Sequence, residues 1–313
     1  DLEPNTGSSV KNVEVFNCEF SNNLGRGFDI VGLTGNISYV TLDSCRFSNN
    51  NSGIAVSHNA NNITITNVDI KKSVNYGFTM AGGPKDIKFQ NSKIDSCLTG
   101  VRGRAVENIH IEGNEIKNYS AEGIYFYEGS KSIKVLNNTL QTNVAAAWGI
   151  RSGTSNSFQI TDCKIRGGQV GISSGYDEYL SITRAKVSNI SEYPVKFFQT
   201  KNSSLVDSSI DTCVSKHAVL LQYANFNVIS NNIFRGNSFV TNNTYSYILL
   251  ESTSNNNQCN ANTILPSVLS SKSQYGIWLK SGTHTNVISL NTIDASAYAT
   301  AAILNQGTGN TVY

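Results

Sequence analysis

A chain of 313 residues with 15% charged residues and a formal net charge of +2 excludes a general attraction to nucleic acid or to an anionic membrane surface. No apolar run approaches about 18 residues, so the sequence holds no candidate membrane-crossing helix. Hydrophobic content is 39%, low for a thick globular core and suited to a narrow one.

The predicted elements are short strands. Val13/Val15, Cys18, Phe20, Gly27-Phe28 and Ile30 form the first phrase, with apolar residues at period two separated by turn residues. Val40/Leu42, Cys45, Phe47, Gly53-Ile54 and Val56 repeat it, and Ile63/Ile65, Val68, Ile70, Gly77-Phe78 and Met80 repeat it again. Later copies are placed from Ile87, Ile109, Ile133, Phe158, Leu180, Ser203, Phe226, Asn257 and Asn286, about 25 residues apart, a solenoid period. Like residues bury together only if copies stack in parallel. The predicted fold is therefore all-β: a right-handed single-stranded parallel β-helix of about twelve coils, three strands per coil. A solenoid grows without dividing, so residues 1–313 are expected to be one domain. The first residues lack the basic and apolar regions of a secretion signal, which reads as a mature form or a piece of a longer chain.

One position supports the register. The residue aligned with Cys18 is Cys45, Val68, Ser92, Asn114, Asn138, Cys163, Ala185, Ser208, Asn231, Asn262 and Asn291 in the following copies. Adjacent asparagines predict an amide ladder at a tight turn. Cys18, Cys45 and Cys163 are expected inside as free thiols, because parallel Cβ vectors about 4.8 Å apart do not suit a disulfide.

The strands, the coil length and the ladder resemble the pectate-lyase-like superfamily. Within it, the Ser/Thr/Asn/Gly-rich surface resembles the body of phage tailspikes and capsule depolymerases. The resemblance implies a sugar-binding face on the Gly-Ile-x-Ile strand, a polysaccharide partner, a homotrimer, and a place outside the cell or on a virion surface. No CxxC motif or Cys/His cluster suggests zinc, and no cofactor or metal is expected. No chaperone or trimerisation segment is visible, and flanking domains are expected to have covered the open ends.

Outward positions of the Gly-Ile-x-Ile strand form two columns. Arg102, Arg104, Tyr125, Tyr127, Arg151 and Lys196 are expected to make a basic, aromatic strip, beside Glu128 and the turn Tyr176-Asp177-Glu178-Tyr179. Such residues suit an acidic glycan: rings pack on sugar faces and arginine forks bind carboxylates. Stacked tyrosines that merely strengthen the sheet are the alternative. Hydrolysis needs two carboxylates, and Glu128 with Asp177 or Glu178 would stand about 9.6 Å apart by coil spacing, near the inverting range. Glu122 is a reserve. Elimination would instead use Tyr125 or Tyr127 as base, with Arg102 or Arg151 neutralising a uronate. The fold also hosts non-catalytic adhesins and epimerases, although no DPHE-like segment is present.

A second group is His110, Glu112 and Glu115, with Lys88 and Lys134 in the column of His110. It reads as a charge ladder, an acid/base site on another face, or a cation site. His58, His217 and His284 are expected at the surface, as are the isolated carboxylates Asp29 and Glu251. Longer loops near 237–247 and 265–274 are expected to form a groove wall or a contact with a neighbouring chain, with Trp278 as an interface aromatic.

Overall fold

The computed structural model describes residues 2–213, 216–236, 244–266 and 272–313. The two long loops at 237–247 and 265–274 fall largely outside the described residues. The fold is the expected right-handed parallel β-helix of about twelve coils, with no α-helix among the described residues. The chain divides into two compact units, Asp1–Gln159 and Ile160–Tyr313.

In the first unit, the first strands of successive coils align Val13, Val40, Ile63, Ile87, Ile109 and Ile133. The second strands align Phe20, Phe47, Ile70, Ile94, Ile116 and Leu140. The third align Phe28, Ile54, Phe78, Val101, Ile124 and Ile150. Each triplet closes on a shared interior, so a coil buries a handful of apolar side chains and the stack makes them a core. Ile109, Ile111, Ile116, Tyr119, Ile124 and Phe126 are the contribution of one coil, and all are buried. Full burial stabilises by roughly 1.5–3 kcal/mol per large apolar side chain. Rings extend the stacking, as in Phe20 on Phe47 at 5.1 Å and Phe78 on Phe89 at 4.9 Å.

The glycine opening each third strand has a steric cause. A Cβ on Gly100 would stand 2.5 Å from the carbonyl oxygen of Gly123 in the next coil and 2.5 Å from Ile116 Cγ2. The chain turns so sharply there that two successive residues, glycine and the apolar residue after it, both face inward.

The second unit repeats the scheme. Its first strands align Ile182, Leu205, Ile229, Cys259, Ile288 and Val312. Its third strands align Ile172, Val195, Val219, Ile248, Ile277 and Ile303.

The amide ladder exists, with one correction. Asn262 Oδ1 accepts from the backbone N and Nδ2 of Asn232, at 3.1 and 3.0 Å, not from Asn231. Asn262 in turn donates to Asn291, and in the first unit Asn114 donates to Asn138. Asn231 is exposed with φ 56°. That copy begins one residue later than expected, at Asn227 rather than Phe226, and Phe226 is exposed. A slip of one residue exchanges the faces of a strand. The exchange is favourable here because Asn227 starts a second ladder at the turn into the first strand. It runs Asn227, Asn257, Asn286, Asn310, each Nδ2 donating to the next Oδ1 at 3.0–3.1 Å.

Five described cysteines carry free thiols. Cys45 and Cys163 are buried as expected, whereas Cys18 is exposed. Tyr119 is fully buried, with its hydroxyl lacking a hydrogen-bond partner and its pKa raised by burial. An unmet buried hydroxyl costs about 1–3 kcal/mol. Tyr119→Phe is expected to stabilise the protein by about 1 kcal/mol, read as a higher urea midpoint at an unchanged m-value. A lower midpoint would mean that the hydroxyl has a partner.

Candidate functional site

The third strand of the first unit presents its outward columns as expected. Thr79, Arg102, Tyr125 and Arg151 align in one column, and Ala81, Arg104, Tyr127 and Gly153 in the next. A third column, just before the inward glycine, holds Tyr76, Thr99, Glu122 and Trp148. Tyr76 and Trp148 escaped the sequence reading. The signal for them is their place immediately before Gly77 and Gly149.

These columns interlock. The guanidinium of Arg102 donates to the hydroxyls of Tyr76 and Tyr127, and its carbon lies 4.9 and 5.1 Å from their ring centres. Arg151 sits 4.8 Å over Tyr125 and 4.5 Å over Trp148. Tyr125 and Tyr127 stack at 4.6 Å, 11° from parallel. The result is a panel in which flat guanidinium groups alternate with rings, each fixing its neighbours.

Much of its charge is spent internally. Arg151 pairs with Glu122 at 3.3 Å, and Thr99 Oγ1 donates to the other Glu122 oxygen at 2.9 Å. Arg104 pairs with Glu128 at 2.5 Å, where both side chains are about half exposed. Burial raises the Tyr125 pKa, with Glu122 adding to that rise and Arg151 opposing it. A raised pKa holds the phenol protonated at neutral pH, the opposite of what a phenolate base needs.

The second unit carries the other expected residues. Lys196 points outward between Tyr193 and Phe198, 5.6 and 5.7 Å from their ring centres. Tyr176 is 60% exposed and meets Phe198 edge-on at 5.4 Å. Glu178 accepts from Asn202 Nδ2 at 3.1 Å. Asp177 is 2% exposed and accepts from Ser174 Oγ at 2.7 Å, so it is held within the turn and away from a surface ligand. Sequence alternation hid this, because the turn residue Tyr176 has φ 61° and rotates the residue after it inward.

Other expectations change with the structure. His217 is buried rather than at the surface. Its Nδ1 lies 3.0 Å from the backbone N of Ser246, and burial lowers its pKa to about 4. His58 is half-buried, while His284 is exposed. Asp29 pairs with Arg26, and Glu251 with Lys280 at 2.7 Å, so neither carboxylate is isolated. Trp278 donates to Gln306 at 3.0 Å and lies under Lys280. Leu220 and Leu249, which continue the column of Lys196, are buried. Glu115 pairs with Lys117. Among the described residues no three His, Cys, Asp or Glu side chains converge as metal ligands.

The outward face of the first strands in the first unit holds a groove of about 790 Å³. It is lined by Asn12, Tyr39, Asn62, Asp86, Asn108 and Ser132, all with positive φ, and by the column containing Lys88, His110 and Lys134. The left-handed residue near the start of each first strand kinks it and sets a concavity beside the outward column. Asparagine and aspartate, at four of these positions, favour that conformation, whereas nothing in the residue types Tyr39 and Ser132 announces it.

A family model described as a right handed beta helix region matches residues 6–94, 80–158 and 148–313. No curated protein matches the chain. Among solved structures it is similar to the periplasmic alginate epimerase AlgG, at 12% identity and a TM-score of 0.59, over 91% of this chain and 76% of that one. It is also similar to the A-module of the Azotobacter vinelandii mannuronan C-5 epimerase AlgE6, at 14% identity and a TM-score of 0.57, over 99% and 78% of the two chains. The Streptococcus pneumoniae surface adhesin PfbA is similar at 13% identity and a TM-score of 0.59, over 90% and 84%. At such identities the likeness is one of fold.

Proposed function

The chain belongs to the right-handed β-helix family, and on that premise we propose that it engages an extended polysaccharide along the third-strand panel of its first unit. The observation that carries this reading is the alternating stack of Tyr76, Arg102, Tyr127, Tyr125, Arg151 and Trp148. Rings held rigidly at a surface offer apolar faces to sugar rings at little entropic cost. The similarity in fold to two epimerases of mannuronan or alginate and to a surface adhesin accords with a glycan partner and a place outside the cytoplasm.

The panel is better built for holding than for cutting. Glu122 is on the strand Glu115–Tyr127 and Glu128 just past its end, so five residues of extended strand already set them about 16 Å apart, beyond the roughly 9.5 Å limit for a hydrolytic pair. The raised pKa of Tyr125 disfavours elimination with that residue as base. Binding without cleavage is therefore the first reading.

A tailspike-like depolymerase is the second, as a trimer on a virion surface, or an epimerase on the same panel. Glu122 favours it: a carboxylate with 16% side-chain exposure, held by Thr99 and Arg151 among aromatic rings, is placed to handle a proton. Lys196, Tyr176 and Glu178 would extend glycan contacts in the second unit.

The test is a panel of bacterial capsular, wall and uronic acid polysaccharides, following binding, reducing ends and absorbance of unsaturated products together. Binding with neither product signal is expected, and Tyr125→Ala should weaken it about tenfold, ~1.4 kcal/mol. Reducing ends that vanish in Glu122→Gln would replace the binding reading with an enzymatic one. Unaltered affinity in Tyr125→Ala would remove the panel from the interaction.

A further inference from the structure

We infer that the first-strand groove of the first unit is a separate binding site for an acidic glycan, with Lys88 and Lys134 reading its negative groups. The inference rests on the proposed function only in taking a glycan as ligand. The site is on another face of the coil, made by other residues.

The distribution of unspent charge points there. On the third-strand panel, Arg151 and Arg104 are paired with Glu122 and Glu128, and Arg102 is enclosed by two tyrosines. In the groove, Lys88 and Lys134 are exposed and form no ion pair among the described residues. They flank His110 in register on either side, one coil below and one above. The two lysines stand two coils, about 9.6 Å, apart, and an anionic group seated between them is attracted by both.

His110, between the two lysines, turns a buried Nε2 toward Glu112 Oε2 at 3.2 Å, so the charges presented to the groove are those of the lysines. Glu112 already accepts from Gln90 at 2.8 Å. The acidic groups on the groove are Glu14, at the far end of the same column, and Asp86, which accepts from Asn108 at 3.0 Å.

That mixture selects the ligand. From Glu14 to Lys134 the column crosses six coils, about 24 Å, long enough for several sugar units. Nucleic acid would carry a phosphate past every position, and Glu14 and Asp86 would repel it. A glycan with sparse carboxylates or sulfates can set them against the two lysine coils and leave neutral hydroxyls elsewhere. Thr41, Asn62, Thr64, Asn108 and Ser132 offer those hydroxyls hydrogen bonds, and the exposed ring of Tyr39 offers a stacking face.

The experiment titrates the full chain with four probes: a polyuronate, the same polymer with its carboxyls reduced to alcohols, a sulfated glycan, and single-stranded DNA. The polyuronate is expected to bind at least about fivefold more tightly than its reduced form, from two or more exposed charge contacts. Lys88→Gln/Lys134→Gln should erase that preference and leave the reduced polymer unaffected, with an unchanged melting temperature. Tyr125→Ala, on the other face, should weaken the reduced polymer and leave the preference for the polyuronate in place. Tight binding of the sulfated glycan that disappears in the double variant would extend the site to sulfate. A ratio that survives the double variant, equal binding of the two polymers, or DNA bound as tightly as the acidic glycans would each overturn the inference. If no glycan binds at all, the proposed function falls with it; if only the charge preference fails, that reading stands.

Discussion

Asn262→Ala is expected to lower stability by about 3–5 kcal/mol, the largest effect of any single polar substitution considered. The Asn262 Oδ1 accepts from both the backbone N and Nδ2 of Asn232. Its Nδ2 donates to the carbonyl of Ile229 at 2.8 Å and to Asn291 Oδ1 at 3.0 Å. Alanine removes all four and strands the amide of Asn232 and the carbonyl of Ile229 where water does not reach. Asn232 and Asn262 are fully buried, so the desolvation penalty is felt in full. The control is Asn231→Gly. Asn231 is exposed with φ 56°, a conformation glycine adopts freely, and the change should stay within about 1 kcal/mol. Urea midpoints of the two variants decide the matter. Comparable losses, or a larger loss at Asn231, would place the ladder one residue earlier and the strand faces would exchange.

Acidification from pH 6.5 to 4 is expected to cost about 3 kcal/mol through His217 alone. Burial lowers its pKa to about 4 in the folded chain, against about 6.5 when unfolded. The unfolded chain therefore binds the extra proton first as pH falls. Stability is fully present above the unfolded value, declines through the window between the two, and stops declining below the folded value. The cause is structural: Nδ1 is engaged with Ser246, the ring meets Tyr245 edge-on at 5.2 Å, and Lys280 and Lys216 oppose a further positive charge. Asp43, Asp162 and Asp294 have lowered pKa values from hydrogen bonds or ion pairs, so they add losses only as pH falls through the carboxylate range. His217→Gln should be less stable at pH 7 and nearly flat across the window. Denaturation at several pH values measures the difference curve. A variant with the same slope as the parent would assign the pH dependence to other groups.

Much of the architecture was legible because a solenoid writes its contacts into its period. Ile109 is aligned with Ile87 and Ile133 because each residue packs on its own counterpart one coil away, so alternation and coil length determine strand, register and face together. That is why Arg102, Tyr125 and Arg151 were placed in one outward column from sequence alone. It is also why Asn114 and Asn138 were recognised as a ladder.

What sequence left open depended on single backbone angles. Tyr39 and Ser132 take the left-handed conformation without belonging to residue types that announce it, and their kinks help hollow the groove. Leu290, Arg184 and Ala261 do the same at the ladder turn. One such residue, Tyr176, is enough to carry Asp177 from the expected surface into the turn. Likewise, composition counted Arg102, Arg104 and Arg151 as a basic strip, and only the packing revealed how far Glu122, Glu128, Tyr76 and Tyr127 had already occupied them. Period and polarity determine which way a side chain faces. Whether its charge remains available is decided by neighbours one coil away, at distances only the folded chain defines.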